Sequence, residues 1–338
     1  MFLTVQMADN IEETPPCKSC KLSVDLEKPR WDQSTFGGRL KHFYAITDMR
    51  KLFVPDSQLD HAKNLVLAYR AGKCIGDTTE EQLWNAKHLY DSAFHPDSGE
   101  KMNLFGRMTF QVPGGMAITG LLLQFYKTPA QVALMQWFNQ SFNAVVNYTN
   151  RNAASETSTK QMMFAYATAT TTALGVALGL NIYSRKAPPV VARWVPFVAV
   201  ASANAVNIPL SRQTELLNGV TITDAEGNVM GKSKKCAQKG ISQVVFSRIL
   251  MAAPGMVCLP IMMESLIKRK WFRSRTWLHL PFQVTGLGVF LIFMVPAACA
   301  VFPQQASMKV GDLELDVRKS IEEKHGNLIN TVYFNKGL

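Results

Sequence analysis

Six carboxamides recur at helical spacing near the middle of the chain. Gln136, Asn139, Gln140, Asn143, Asn147 and Asn150 fall at i, i+3, i+4, i+7, i+11 and i+14, so a helix here lines one face with amides. Leu134, Trp137, Phe138, Phe142 and Val145 lie off that face. A carboxamide donates and accepts hydrogen bonds without carrying charge. A stripe of them can hold an ammonium and a carboxylate together, as a small zwitterion requires, without the cost of a buried fixed ion. The same groups suit amide-to-amide packing between membrane helices, and both uses stay open. A second cluster, Ser202, Asn204, Asn207 and Pro209, is expected opposite the first. Pro209 deprives the Ala205 carbonyl of its helical partner, and opened helices with polar side chains build carrier sites near the bilayer centre. The candidate substrate-binding set is Gln136, Asn139, Gln140, Asn143, Asn147, Asn204 and Asn207.

Patterns that would carry catalysis are missing. There is no phosphate-binding G-x-x-x-x-G-K-[ST] loop, no H-E-x-x-H and no nucleophile elbow, and Gly286-Leu287-Gly288 lacks the third glycine of a dinucleotide turn. No catalytic residue, cofactor or metal site is therefore expected. His95, Asp97 and Glu100 offer a metal-ligand reading of the hexad His95–Glu100, but Pro96 forces a turn there and Asp97 or Ser98 suits a cap. Cys17 and Cys20 form a lone C-x-x-C with no second pair, which reads as reduced thiols on an N-terminal arm.

A stripe of amides needs a surrounding that makes it informative, and the charge distribution supplies one. The 338 residues hold 36 basic and 25 acidic side chains, a net of +11. Residues 1–107 carry 14 basic against 15 acidic, and residues 108–338 carry 22 against 10, although the second part contains every long apolar run. Basic residues confined to the connections between apolar segments mark a membrane protein with oriented loops, and they argue against a nucleic-acid binder. Met108–Tyr126, Met162–Tyr183, Trp194–Leu210, Gln243–Ile267 and Trp277–Phe302 are long and uncharged enough for crossings of about 20 residues. The amide run Ala130–Asn147 has seven polar groups in 18 residues, so it is expected to be amphipathic, in the interface or packed inside the bundle.

The fold class is thus all-α: a multi-pass membrane protein of about five transmembrane helices plus one amide-rich amphipathic helix. The expected organisation is an arm over 1–30, a soluble helical region over 31–107, the bundle over 108–302 and a tail over 303–338. Within 31–107, helical spacing covers Pro55–Ala71 and Thr79–Ala93, the second capped by Thr78 or Thr79. The connections 184–193 and 268–276 carry eight basic residues and no acid. With five crossings they share a side with the N-terminal region, and the tail lies opposite. Arg248 and Glu264, near the two ends of one crossing, are expected to snorkel. Breaks are expected at Pro113-Gly114-Gly115, Pro254-Gly255, Pro260 and Pro296; Thr168, Thr170, Thr171 and Thr172 with Gly175 and Gly179 suggest close helix contact, and the hydroxyls suit a pathway lining equally well. The N-terminus reads as neither a secretory signal nor a transit peptide.

Several stretches together resemble the sideroflexin family. They are Trp31-Asp32-Gln33-Ser34-Thr35-Phe36 with Arg39 to Phe43, the hexad His95–Glu100, the run from Trp137 to Ala153, Ala203 to Pro209, and the ending Tyr333-Phe334-Asn335-Lys336-Gly337-Leu338. The resemblance covers the chain from Trp31 onward, and its details look most like the second animal branch of that family. It implies a multi-pass protein of the mitochondrial inner membrane with the N-terminal region in the matrix. It also implies import of serine for one-carbon metabolism and a link to iron and haem homeostasis. The expected partners are then a small neutral amino acid, the lipid bilayer, and a second copy of the chain or a protein of the haem or iron pathway, with no nucleic acid. A carrier of carboxylates or iron chelates, and a membrane scaffold for haem or iron–sulfur assembly, are the competing functions.

Overall fold

The computed structural model describes residues 24–26, 28–73, 78–95, 98–125, 128–149, 159–184, 188, 194–326 and 329–337. Cys17, Cys20, Asp97, Asn150 and most of the basic connection 184–193 lie outside the described residues.

The N-terminal layer begins with a turn that the sequence specifies closely. The Asp32 carboxylate accepts from the Ser34 backbone and hydroxyl at 2.9 and 2.7 Å. Thr35 then caps α1 (Phe36–Thr47) by accepting from Gly38 N. The carbonyls of Gln33 and Ser34 each take a bond from Arg39 Nη1 at 2.8 Å, which aims the rest of the guanidinium outward from α1. Helices α2 (Asp56–Arg70) and α3 (Glu80–Ala93) occupy the expected spans. Thr79 and Gln82 form a reciprocal capping box on α3, with Glu80 and Glu81 in its positive first turn. The two helices pair through Leu59, Ala62 and Val66 against Leu83, Ala86 and Tyr90. Trp31 lies flat on His88 at 5.2 Å between ring centres, and burial together with nearby cations pushes that imidazole down to about 3, so it packs as a neutral ring.

Among the described residues six longer helices follow, running back and forth: α4 (Gln111–Gln124), α5 (Pro129–Thr149), α6 (Thr159–Ser184), α7 (Val195–Ser211), α8 (Lys234–Ile267) and α9 (His279–Ala300). Among the described residues, three segments are long and apolar enough to cross a membrane, Met162–Tyr183, Lys234–Ile267 and Thr276–Ala300, and Phe197–Ser211 is an apolar helix of shorter length. Directions follow from contacts. Gly120 packs on Val284 and Gly115 on Leu291, so α4 opposes α9. Gly106, just before α4, meets Thr149 at the end of α5, so α5 returns the chain to the side it left. Ser141 of α5 bonds Tyr166 early in α6, while Val132 packs with Ala177 and with Ala199 early in α7. Gly255 of α8 lies against Leu287, and Gly286 against Leu259.

Two expectations about these helices need correction. The prolines do not break them: α7 runs through Pro209, α8 through Pro254 and Pro260, and α9 through Pro296. Gly175 and Gly179 are not contact points, since nothing lies within 4 Å of a Cβ at either. The close face of α6 is an alanine stripe, Ala165, Ala169, Ala173 and Ala177, buried at four-residue intervals.

The sequence reading contained no strands, and the described residues include four short ones. β1 (Val220–Thr223), β2 (Val229–Ser233), β3 (Gln305–Lys309) and β4 (Thr331–Asn335) form an antiparallel sheet in the order β2-β1-β4-β3. Its core is Ile222, Cys236, Ala306, Val310, Val332 and Phe334, closed by Ile321 of α10 (Leu315–His325). The hairpin turn between β1 and β2 is fastened by Asp224, which accepts from Glu226 N and Asn228 N. Glu314 bonds Ser233 Oγ and the first backbone N–H groups of α8, so it locks the sheet onto the positive end of that helix.

The position of the N-terminal layer overturns the expected sidedness. Arg39 Nε donates to the Ala300 carbonyl at 2.7 Å, satisfying one of the last free acceptors of α9, and Phe43 and Ile46 pack with Met108 and Ala300 beside it. The N-terminal layer and the sheet therefore share one end of the bundle. The basic connection 268–276 sits at the other end, where Phe272 stacks on His279 and meets Phe282 edge-to-face at the start of α9. The reason is α5: by running the length of its neighbours it adds one more pass, which puts the chain's two ends together.

Candidate functional site

The amide-rich helix is turned with its polar side inward. Gln136 and Gln140 are 0% and 1% exposed, among the most deeply buried side chains described, whereas Leu134, Trp137, Phe138, Val145 and Tyr148 are exposed. This is the reverse of a soluble amphipathic helix and the correct polarity for a helix whose outer face meets lipid.

Asn207 of α7 donates from Nδ2 to Gln140 Oε1 at 2.6 Å, joining residues 67 positions apart. At the next residue of α5, Ser141 Oγ and Tyr166 Oη lie 2.8 Å apart and tie α5 to α6. The structure thus brings Gln140 and Asn207 into contact and places Gln136 one turn away on the same buried face. Asn139, Asn143 and Asn204 stand beside this pair and are half-buried, and none of the three makes a hydrogen bond to a described residue. The Gln140 amide nitrogen is buried without a partner. The side chain of Asn147 lies outside the described residues.

Chemically, the arrangement offers one closed amide pair and three open carboxamides close to membrane depth. The pair is adhesive: each member satisfies part of the other where no water can. The three open amides are different. In a bilayer an unpaired polar group costs several kcal/mol in hydrocarbon, so they need water or a polar solute. The threonines of α6 contribute less than their number suggests, since the Thr171 and Thr172 hydroxyls bond back to the carbonyls four residues earlier. Tyr166 was not anticipated from the sequence: it sits in an apolar run, and its role arises only because α6 packs against Ser141. Among the described residues, no cluster of three His, Cys, Asp or Glu side chains could hold a metal. In the hexad, His95 N bonds Glu100 O and Gly99 N bonds His95 O, forming a tight loop that Lys63 anchors by donating to Gly99 O.

A family model, described as sideroflexins, matches residues 25–338. The chain belongs to the sideroflexins. Human sideroflexin-2 is 56% identical over 314 residues, which span 93% of this chain and 98% of that protein. Bovine sideroflexin-2 is 55% identical over the same shares, and human sideroflexin-1 is 48% identical over 326 residues, 96% of this chain and 99% of its own. No solved structure matches. The sideroflexin match begins within a few residues of Trp31, at the turn that aims Arg39 at the end of α9, and runs through the amide helix to the ending that closes the sheet.

The Gln140–Asn207 bond in this sideroflexin can be weighed directly. Asn207→Leu leaves Gln140 buried with both polar ends unmet and is expected to destabilise the bundle by roughly 1–2 kcal/mol. Gln140→Leu strands Asn207 and costs a similar amount. The double substitution Gln140→Leu with Asn207→Leu removes both polar groups and should cost less than the sum of the two. Thermal or denaturant unfolding in detergent reads this cycle, and strictly additive losses would show that the two amides do not depend on each other.

Proposed function

We propose that this sideroflexin is a carrier that moves small neutral amino acids, serine foremost, across the mitochondrial inner membrane, and is not an enzyme. What supports the substrate class is the set of half-buried carboxamides without partners among the described residues, Asn139, Asn143 and Asn204, flanking the Gln140–Asn207 pair. Amides can receive both an ammonium and a carboxylate, and they place no fixed ion in the membrane that a neutral zwitterion would have to offset. The serine and one-carbon assignment, the mitochondrial address and the link to iron and haem rest on kinship with the sideroflexins. With Gln136 and Gln140 sealed from water, the conformation described is closed around the pair, and transport requires α5 and α7 to part on one side at a time.

The experiment is uptake by the purified full-length protein in liposomes, with a panel of amino acids. Serine, alanine and glycine should enter well above protein-free liposomes, while aspartate and lysine should not. Uptake of none of them would end the carrier reading. It would leave the scaffold, which the mutual satisfaction of Gln140 and Asn207 favours, because a pure adhesive needs no path for solute. Deleting residues 31–107 does not separate the two, since Arg39 and Phe43 are built into the end of α9.

A further inference from the structure

At the end of the bundle that carries the sheet, α4, α8, α9 and the last residues of the chain enclose a cavity of about 30 Å3. That is roughly twice the 10–15 Å3 that admits one water, enough for the head of a small carboxylate. Its polar lining is Gln111, Ser247, Arg248, Cys299 and Lys336: two cations and no carboxylate. Arg248 does not snorkel into open water as its place in the sequence suggested. It is half-buried against the cavity and makes no hydrogen bond or ion pair with a described residue.

Lys336 is 3% exposed, and its ammonium reaches only Gln304 Oε1 and the Gly337 carbonyl, both at 3.4 Å. Burial pushes this amine down to about 8, opposed by Cys299, with Arg212, Arg248 and Arg39 adding to the shift. Arg39 and Arg212 are already engaged, the first by backbone carbonyls and the second by Glu215 and the Lys336 carbonyl. Ser247 is 7% exposed, and its hydroxyl has no partner. A buried and a half-buried cation with no counter-ion among the described residues are costly, and a vacant buried donor beside them adds to that cost. An anion in the cavity would relieve all three groups at once.

We propose that this cavity is a carboxylate site, in which the carboxylate of a small organic acid is held by the Arg248 guanidinium and the Lys336 ammonium and accepts from the Ser247 hydroxyl. A planar two-oxygen head matches the guanidinium fork, and the space is small for a tetrahedral phosphate. No acid lines the cavity to receive an ammonium, so a plain carboxylate is favoured over an amino acid. The site lies on α4, α8 and α9, away from the amides of α5 and α7, and it stands whether or not the protein transports serine.

The test is thermal unfolding of the purified full-length protein in detergent at pH 7, titrated with sodium acetate, L-serine or sodium phosphate at constant ionic strength balanced by sodium chloride. Acetate should raise the midpoint saturably, phosphate should not, and the serine response, which belongs to the amide site, should survive Arg248→Met and Lys336→Met. Arg248→Met and Lys336→Met should each weaken the acetate response about tenfold or more. Without ligand, both variants should melt no lower than the parent, because each loses an uncompensated charge, which keeps lost binding apart from misfolding. Ser247→Leu fills the cavity and keeps both cations, and it too should abolish the response. The proposal is overturned by no saturable response to acetate, by a phosphate shift as large as that of acetate, by a serine response that Arg248→Met and Lys336→Met remove as fully as that of acetate, or by an acetate response that survives those substitutions.

Discussion

Reconstituted in liposomes, the Asn143→Leu protein is expected to take up serine at roughly a tenth of the parental rate or less, while inserting and melting like the parent. The two halves of that expectation come from different observations. Stability should hold because Asn143 is half-buried and bonds to no described residue, so leucine breaks nothing and removes a polar group from the membrane. Uptake should fall because a hydrogen bond to a charged ligand group is worth about 1.5–3 kcal/mol, and leucine supplies neither donor nor acceptor. Asn139→Leu and Asn204→Leu should behave alike. Asn207→Leu should differ by losing stability as well, since it breaks the bond to Gln140. Asn143→Gln keeps the chemistry at a longer reach and should retain part of the uptake. Unchanged uptake in Asn143→Leu would remove this residue from the site. A parallel loss of uptake and melting temperature would make it structural.

The contrast between Asn143 and Gln140 shows how far the sequence could be read. Period and polarity place both on one face of one helix, and the structure agrees that the face is polar and turned inward. Which amide is spent on packing depends on α7, 67 residues away, and nothing local to either residue encodes that. The same limit governs the rest of the molecule. α2 and α3 were legible to within a residue or two because their signals are local: apolar spacing, the Thr79–Gln82 box and the acidic first turn. The sheet was illegible because its strands are four or five residues long and β1 meets β4 across 110 positions, at Thr223 and Tyr333. Too few residues alternate in such a strand to outweigh turn signals. Lys336 reads as an ordinary lysine near a chain end, and it becomes a buried cation only because Gly240 of α8 lets the backbone approach, with Lys336 Cα 3.3 Å from where a Cβ would stand.

The alanine stripe of α6 teaches a related lesson. Glycines are the stronger signal for close helix approach, and Gly175 and Gly179 drew the expectation to the wrong face. Ala165, Ala169, Ala173 and Ala177 carry the contact, with the same four-residue spacing set two positions over in the helical cycle. A small residue marks a possible contact, and the opposing surface decides whether it is used. Here Ala199 and Val132 close on Ala177.

Protease protection in sealed vesicles should give the N-terminal layer and the C-terminal ending the same fate, and residues 268–276 the opposite one. The expectation follows from Arg39 and holds for either orientation in the membrane. Its Nε bonds the Ala300 carbonyl while its Nη1 holds Gln33 and Ser34, so the turn at Trp31–Thr35 is fixed to the end of α9 where β3 begins. At 1.5 Å per residue the 22 residues of α9 extend about 33 Å, a full bilayer core, which sets Phe272 and its basic neighbours on the far side. The charge rule puts the matrix-like side at that far end, with Lys268, Arg269, Lys270, Arg273 and Arg275, whereas the orientation expected from the resemblance puts residues 31–107 there. Epitopes placed after Phe53, which is largely exposed, within 268–276 and at the C-terminus would decide between them in mitoplasts. If the first and last epitopes instead fell on opposite sides, Arg39 could not reach Ala300, the number of crossings would be odd, and α5 would have to leave the bundle for the interface. The Gln140–Asn207 bond could not form there, and the amide site would be lost with it.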